Sequence, residues 1–242
     1  MKTNLSDDEL KSLINLVSVC MSKDDYGQAY IHLSKTIDIL ISEDKNLPFL
    51  LNYRASISSI MHNWDLAIFD IQKCISISPY DSSYYLSMGV YITWKYFYTG
   101  SFRIDNVNQD LKESIYYYKE CLRLDPTHCI AWLNTIETYL FLMEWDNALG
   151  YLGMSKPFLS SKENMLIWSW LTCLSLALIG DPIEHEDIKL LLDDSIKYDS
   201  SHDYKQIDCT ISELERIQYN TARLKRAKEI HQLYKLRIGV IK

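Results

Sequence analysis

The sequence predicts an all-α chain assembled from helical hairpins stacked on one another. Residues 48–81, PFLLNYRASISSIMHNWDLAIFDIQKCISISPYD, hold two amphipathic segments joined by a short turn, and two such segments cannot bury both apolar faces without neighbours. The pattern recurs: Trp64 and Trp145 stand 81 residues apart, which is one 34-residue unit and one unit lengthened by 13. The chain has 242 residues, 48% of them apolar, with only seven Gly and five Pro, which favours helices joined by short turns over a sheet-rich fold.

Within 48–81, apolar or small residues fall at Trp64, Ala67, Ile68, Ile71, Cys74 and Ile75, the stripe of a helix with one buried face. Asp65, Asp70, Lys73 and Ser76 lie on the opposite face, which the pattern assigns to solvent. Asn63 is placed to cap the helix with its side chain, and Pro79 to stop it. A partner helix is expected from about Leu50 to Met61. Counted from Pro48 as position 1, Ala55 falls at 8, Ala67 at 20, Ile71 at 24, Cys74 at 27 and Pro79 at 32. These positions resemble the tetratricopeptide repeat, a 34-residue helical hairpin with the pattern W-x2-L-G-x2-Y followed by A, F and P. Ser58 at position 11 departs from the family's Tyr. The resemblance implies a right-handed α-solenoid of about five such hairpins plus a C-terminal cap.

Taken in order, MKTNLSDDELKSL at the start lacks the basic and apolar segments of a secretion signal and reads as a capped helix, so a cytoplasmic protein is expected. Residues 10–43 form a first repeat, with Tyr26, Ala29 and Leu33 at positions 17, 20 and 24. Repeat 2 is 48–81. Repeat 3, 82–128, opens with Tyr85, Met88 and Gly89 and places Cys121 and Pro126 in register only if an insertion around 100–110 separates its helices. Repeat 4, 129–162, carries Trp132, Tyr139, Trp145, Ala148 and Leu152 in an uninterrupted frame. A divergent repeat 5, 166–203, turns at Gly180 and Asp181, with its second helix from about Glu184 to Tyr198. Met165–Gly180 is apolar, but its 16 residues reach roughly 24 Å, short of a hydrocarbon core of about 30 Å, so it reads as a buried inner helix.

Residues 204–242 depart from the repeat and read as one long or two shorter helices. Leu224, Ala227, Ile230, Tyr234 and Ile238 make an apolar stripe, and from Glu215 onward eight Lys or Arg stand against two Glu, whereas the whole chain carries −7. One reading is a cap on the last repeat; the other is a basic arm for nucleic acid or an acidic partner.

No catalytic, cofactor or metal site emerges. The six histidines lack metal-ligand spacing and the six cysteines form no C-x2-C pair; the cysteines read as reduced core residues. Phosphate-binding glycine loops and nucleophile motifs are missing. The resemblance implies a groove lined by the first helix of each repeat. Its positions fall on Phe49, Asn52, Tyr53, Ser56, Ser59 and Ile60; on Ser83, Leu86, Ser87, Val90, Thr93 and Trp94; and on Ile130, Leu133, Asn134, Glu137, Leu140 and Phe141. The family's carboxylate-clamp positions hold Ile14, Ser83 and Ser87, or Asn52, Ile130 and Asn134, or Leu86, Ile167 and Leu171, none of them cationic. The expectation is a non-catalytic scaffold that takes an apolar helix or extended peptide, with Asn52 and Asn134 bonding its backbone, and that is not a carboxylate-clamp chaperone adaptor; the competing expectation is a groove filled by packing within the solenoid or by the chain's own terminal helix. Nucleic-acid association through the basic C-terminal helix is the alternative, and membrane insertion is not expected. Tyrosines from Tyr84 to Tyr118 crowd repeat 3 and mark a second contact surface beside the insertion.

Overall fold

The computed structural model describes residues 4–40, 44–99, 109–193 and 204–240. Among them are twelve α-helices and no strand, as an all-α chain of helical hairpins requires. The chain divides into two compact units, Met1–Gly100 and Ser101–Lys242.

The first unit holds α1 (Asp7–Met21), α2 (Tyr26–Ile39), α3 (Leu47–Ile60), α4 (Trp64–Ile77) and α5 (Ser82–Tyr98). Ser6 caps α1 in a reciprocal capping box with Glu9, beside Asp7 and Asp8, whose charges suit the positive end of the helix. Successive helices pack on one another from α1 to α5. Leu13, Val17, Ala29, Leu33, Leu50 and Ile57 form one core across α1, α2 and α3. Small residues set the approach: Ala55 and Ala67 are fully buried where α3 meets α4.

The second unit holds α6 (Gln109–Leu124), α7 (Cys129–Phe141), α8 (Trp145–Ser155), a 3-10 turn (Lys156–Phe158), α9 (Lys162–Ile179), α10 (His185–Leu192), α11 (Lys205–Arg216) and α12 (Thr221–Arg237). The apolar run becomes α9, buried continuously from Leu166 to Ser175. No helix among the described residues is long and apolar enough to cross a membrane.

One backbone device closes the hairpins. The residue after the first helix is left-handed at Asp24, His62, Met143 and Gln218, with φ between 54° and 59°, and at Gly180, with φ 97°. The next residue donates its N–H to a carbonyl five residues back: Asp25 to Cys20 (2.9 Å), Asn63 to Ser58 (2.8 Å), Glu144 to Tyr139 (3.0 Å), Asp181 to Leu176 (2.9 Å) and Tyr219 to Leu214 (2.9 Å). Each acceptor sits at position 11. The turn therefore needs a carbonyl there, which any residue supplies, and Ser58 can stand where the family has Tyr. Glycine is required at Gly180, where a Cβ would also lie 2.7 Å from Arg223 Nε.

Several expectations are corrected. Asp70 is buried, not on a solvent face: its carboxylate accepts from both Nε (2.8 Å) and Nη2 (2.7 Å) of Arg54 on α3. Asn63 occupies the N-cap of α4 but makes no side-chain cap bond. The second helix of repeat 5 is the short α10, and residues 194–203, like the insertion at 100–108, fall outside the described residues. The C-terminal stretch is two helices, and its turn at Gln218 has the geometry of the other hairpins.

Candidate peptide-binding face

In the first unit the first helices of successive hairpins run near one another. Tyr53 Oη–H on α3 donates to Met21 Sδ at the end of α1 (3.3 Å), and Tyr91 Oη–H on α5 reaches Ser56 Oγ on α3 (3.4 Å). On this face Phe49 is 46% exposed and Ile60 45%. Asn52, Tyr53, Leu86 and Val90 are half-buried. Trp94, also half-buried, meets Trp64 of α4 edge to face at 5.8 Å, while His62 and Tyr98 pack on Trp64 from the turn and the end of α5. Asn52 Oδ1 is sealed from water without a hydrogen-bond partner, an arrangement that costs about 1–3 kcal/mol until a donor arrives. The groove positions of α3 and α5 hold apolar, hydroxyl and amide groups and no carboxylate or cation. Among the crowded tyrosines, Tyr84, Tyr91, Tyr96 and Tyr118 are core, and Tyr98 and Tyr116 are exposed.

The corresponding face of the second unit is occupied. Ile130 is exposed and Asn134 half-buried, but Leu133, Glu137 and Phe141 are buried to 2% exposure or less. This corrects their expected place in an open groove. For Leu133 the cause is the C-terminal hairpin: α11 packs on α7, and α12 packs on α9 and α10. Leu133 and Leu140 of α7 share a core with Ile207 and Leu214 of α11. Leu224, Ala227, Ile230, Tyr234 and Ile238, the stripe legible in the sequence, are all buried. Ile207, Thr210 and Leu214, spaced by three and four, were the sequence signal for the docking of α11.

The seam of this hairpin is aromatic and ionic. Trp170 of α9 stacks on Tyr234 at 3.8 Å and on His231 at 5.5 Å. His231 Nε2 lies 2.8 Å from Asp208 of α11, which also pairs with Lys235. Burial lowers the His231 pKa below its ordinary 6.5, so its neutral form is favoured in the fold. The basic residues of α12 are largely engaged within the chain: Lys228 pairs with Glu215, Arg226 donates to the Asp181 carbonyl (2.8 Å) and Arg237 to the Leu191 carbonyl.

No group of three or more His, Cys, Asp or Glu able to hold a metal ion occurs among the described residues. Burial pushes Cys74 and Cys173 up to about 12, which removes their nucleophilic thiolate form.

No protein-family model matches the chain, and no curated protein matches it in sequence. Solved structures do match in fold. MamA is 13% identical, with 88% of this chain and 96% of that one covered at a TM-score of 0.55. YrrB, described as a TPR protein with an unusual peptide-binding site, is 11% identical over 90% of each chain at 0.51. The human IFIT1 dimer with PPP-AAAA is 12% identical at 0.58; the match takes in 95% of this chain and 55% of IFIT1. The chain carries the tetratricopeptide-repeat fold.

Proposed function

We propose that this chain is a non-catalytic, cytoplasmic scaffold for protein–protein interaction, and that its working face is the first-helix face of residues 1–100. The observation that carries this reading is the contrast between equivalent surfaces. The face around Leu133 and Leu140 is filled by the chain's own α11, whereas the face around Phe49, Asn52, Tyr53 and Ile60 leaves apolar side chains in water. An apolar or helical peptide segment fits that chemistry, with its apolar anchors packing against Phe49, Tyr53 and Ile60. Leu86, Val90 and Trp94 extend the face along α5. The absence of cations at the groove positions of α3 and α5 disfavours an anionic tail of the kind a carboxylate clamp grips.

Nucleic-acid association through α12 is the weaker reading, because Arg226, Lys228, Lys235 and Arg237 are spent on partners inside the chain. The deciding experiment compares partner capture from cell lysate by the full chain and by Phe49→Asp/Ile60→Asp, with the fold checked by circular dichroism. Both positions are exposed, so the fold is expected to survive while a protein partner is lost. A partner retained by the double variant overturns the assignment of the face, and strongly salt-dependent recovery of RNA or DNA overturns the scaffold reading in favour of α12.

A further inference from the structure

The outer side of the C-terminal hairpin does not look like the outer side of a cap. Repeat arrays end in a helix with a polar outer face. The outer side of α12 instead exposes Leu236, at 48%, and half-exposes Leu233, above a groove of about 1030 Å³ that extends back to Tyr219 in the α11–α12 turn. The two helices of the hairpin seat mainly on different neighbours, α11 on α7 and α12 on α9, and not on each other. A trough is left along α12 from Thr221 to Leu236, roughly 22 Å at about 1.5 Å per residue, the length of four helical turns.

We infer that this trough is an isologous interface whose occupant is α12 of a second copy, laid antiparallel about a two-fold axis near residue 227. The exposed positions themselves argue for it. Counted outward from 227 along α12, Lys225 is matched by Glu229 and Ala222 by Gln232, all four exposed, while the exposed Leu236 falls toward the turn that precedes the other copy's α12. An antiparallel two-fold pairing brings each of the matched residues opposite its match on the other copy. Lys225 then faces Glu229 twice over, and neither has an ion-pair partner within the chain among the described residues. Ala222 gives the close approach that two helix backbones need, and Leu236 of each copy enters the apolar end of the other's trough beside Tyr219. A surface that carries its own knob, hole and complementary charges fits itself better than an arbitrary partner.

The test is sedimentation velocity on the full chain over micromolar to submillimolar concentrations, with folding monitored by circular dichroism. Wild type is expected to show a monomer–dimer equilibrium, weakened about 30-fold or more by Leu236→Glu, as for loss of a buried anchor. Lys225→Glu and Glu229→Lys are each expected to weaken the dimer about fivefold, since two-fold symmetry doubles a rim effect of this size. Because residues 225 and 229 are also neighbours on one helix, the discriminating arm mixes the two variants. In the heterodimer both cross-pairs become attractive, so the mixture is expected to associate about as tightly as wild type although neither variant does so alone. A chain that stays monomeric throughout the range, a dimer indifferent to Leu236→Glu, or a mixture no tighter than its components each overturns the proposal.

Discussion

Arg54 and Asp70 show how much a single pair can decide. Their side chains are 10% and 2% exposed, joined by two hydrogen bonds, with the third edge of the guanidinium on Ser34 Oγ (3.1 Å) and its face over Tyr30 (5.5 Å). The pair thus ties α2, α3 and α4 together, and the nearby carboxylate raises the Arg54 pKa further. A buried pair fully satisfied in this way is worth little against an apolar replacement, but half of it is a liability. Arg54→Ala is expected to destabilise the fold by about 3–5 kcal/mol because Asp70 is left ionised in the core, while the double variant Arg54→Met/Asp70→Leu is expected to recover most of that loss. Urea unfolding of the two variants checks the expectation; equal loss in both would make the pair's own attraction, and not the stranded charge, the source of stability. The sequence hid this interaction because Asp70 obeys the polar side of a local helical pattern, and only the fold brings Arg54, 16 residues earlier, against it.

At the scale of elements, helix existence and hairpin register were readable, because the spacing of Trp64, Ala67 and Ile71 is a local signal repeated at Trp145, Ala148 and Leu152. The destination of α11 and α12 was not, since docking on α7 and α9 depends on contacts between distant parts of the chain. That docking has a pH signature. Inside the seam of α9, α11 and α12, His231 is stacked on Trp170 and flanked by Asp208 and Lys235, and burial is the largest cause of its lowered pKa. A histidine whose folded pKa is depressed binds its proton more readily when unfolded, so the unfolded state takes up protons first as pH falls below 6.5, and stability falls with it until the folded value is passed. The wild-type chain is therefore expected to lose more stability between pH 7 and pH 5 than His231→Gln does, read as the shift in urea midpoint at each pH. Identical shifts in the two proteins would remove His231 from the acid response.

At the scale of the whole molecule, repeat arrays couple neighbours only, so stability follows local burial and need not be uniform. The two ends of the chain differ sharply in this respect. Among the residues of α1, Leu13 and Val17 are buried and Leu16 and Val19 are exposed, so one narrow stripe holds that helix to α2. By contrast α9 is buried from Leu166 through Ser175 and is contacted by α7, α8, α10 and α12. Closing the second unit with its own C-terminal hairpin gives up a groove and gains a core; the first unit's face, where Phe49 and Ile60 stay exposed, leaves that unit dependent on thinner packing. Native-state hydrogen exchange followed by mass spectrometry should then show amides of α9 and α12 as the slowest in the chain and those of α1 and α2 among the fastest within helices. Leu214→Asp, which places a charge between α11 and α7, is expected to speed exchange in α7 and α11 while leaving α1–α4 unchanged, because no contact of that residue lies in the first unit's core. Uniform protection across the chain, or acceleration of α1–α4 by Leu214→Asp, would mean that the molecule opens as one cooperative body and that the open face is not bought with local stability.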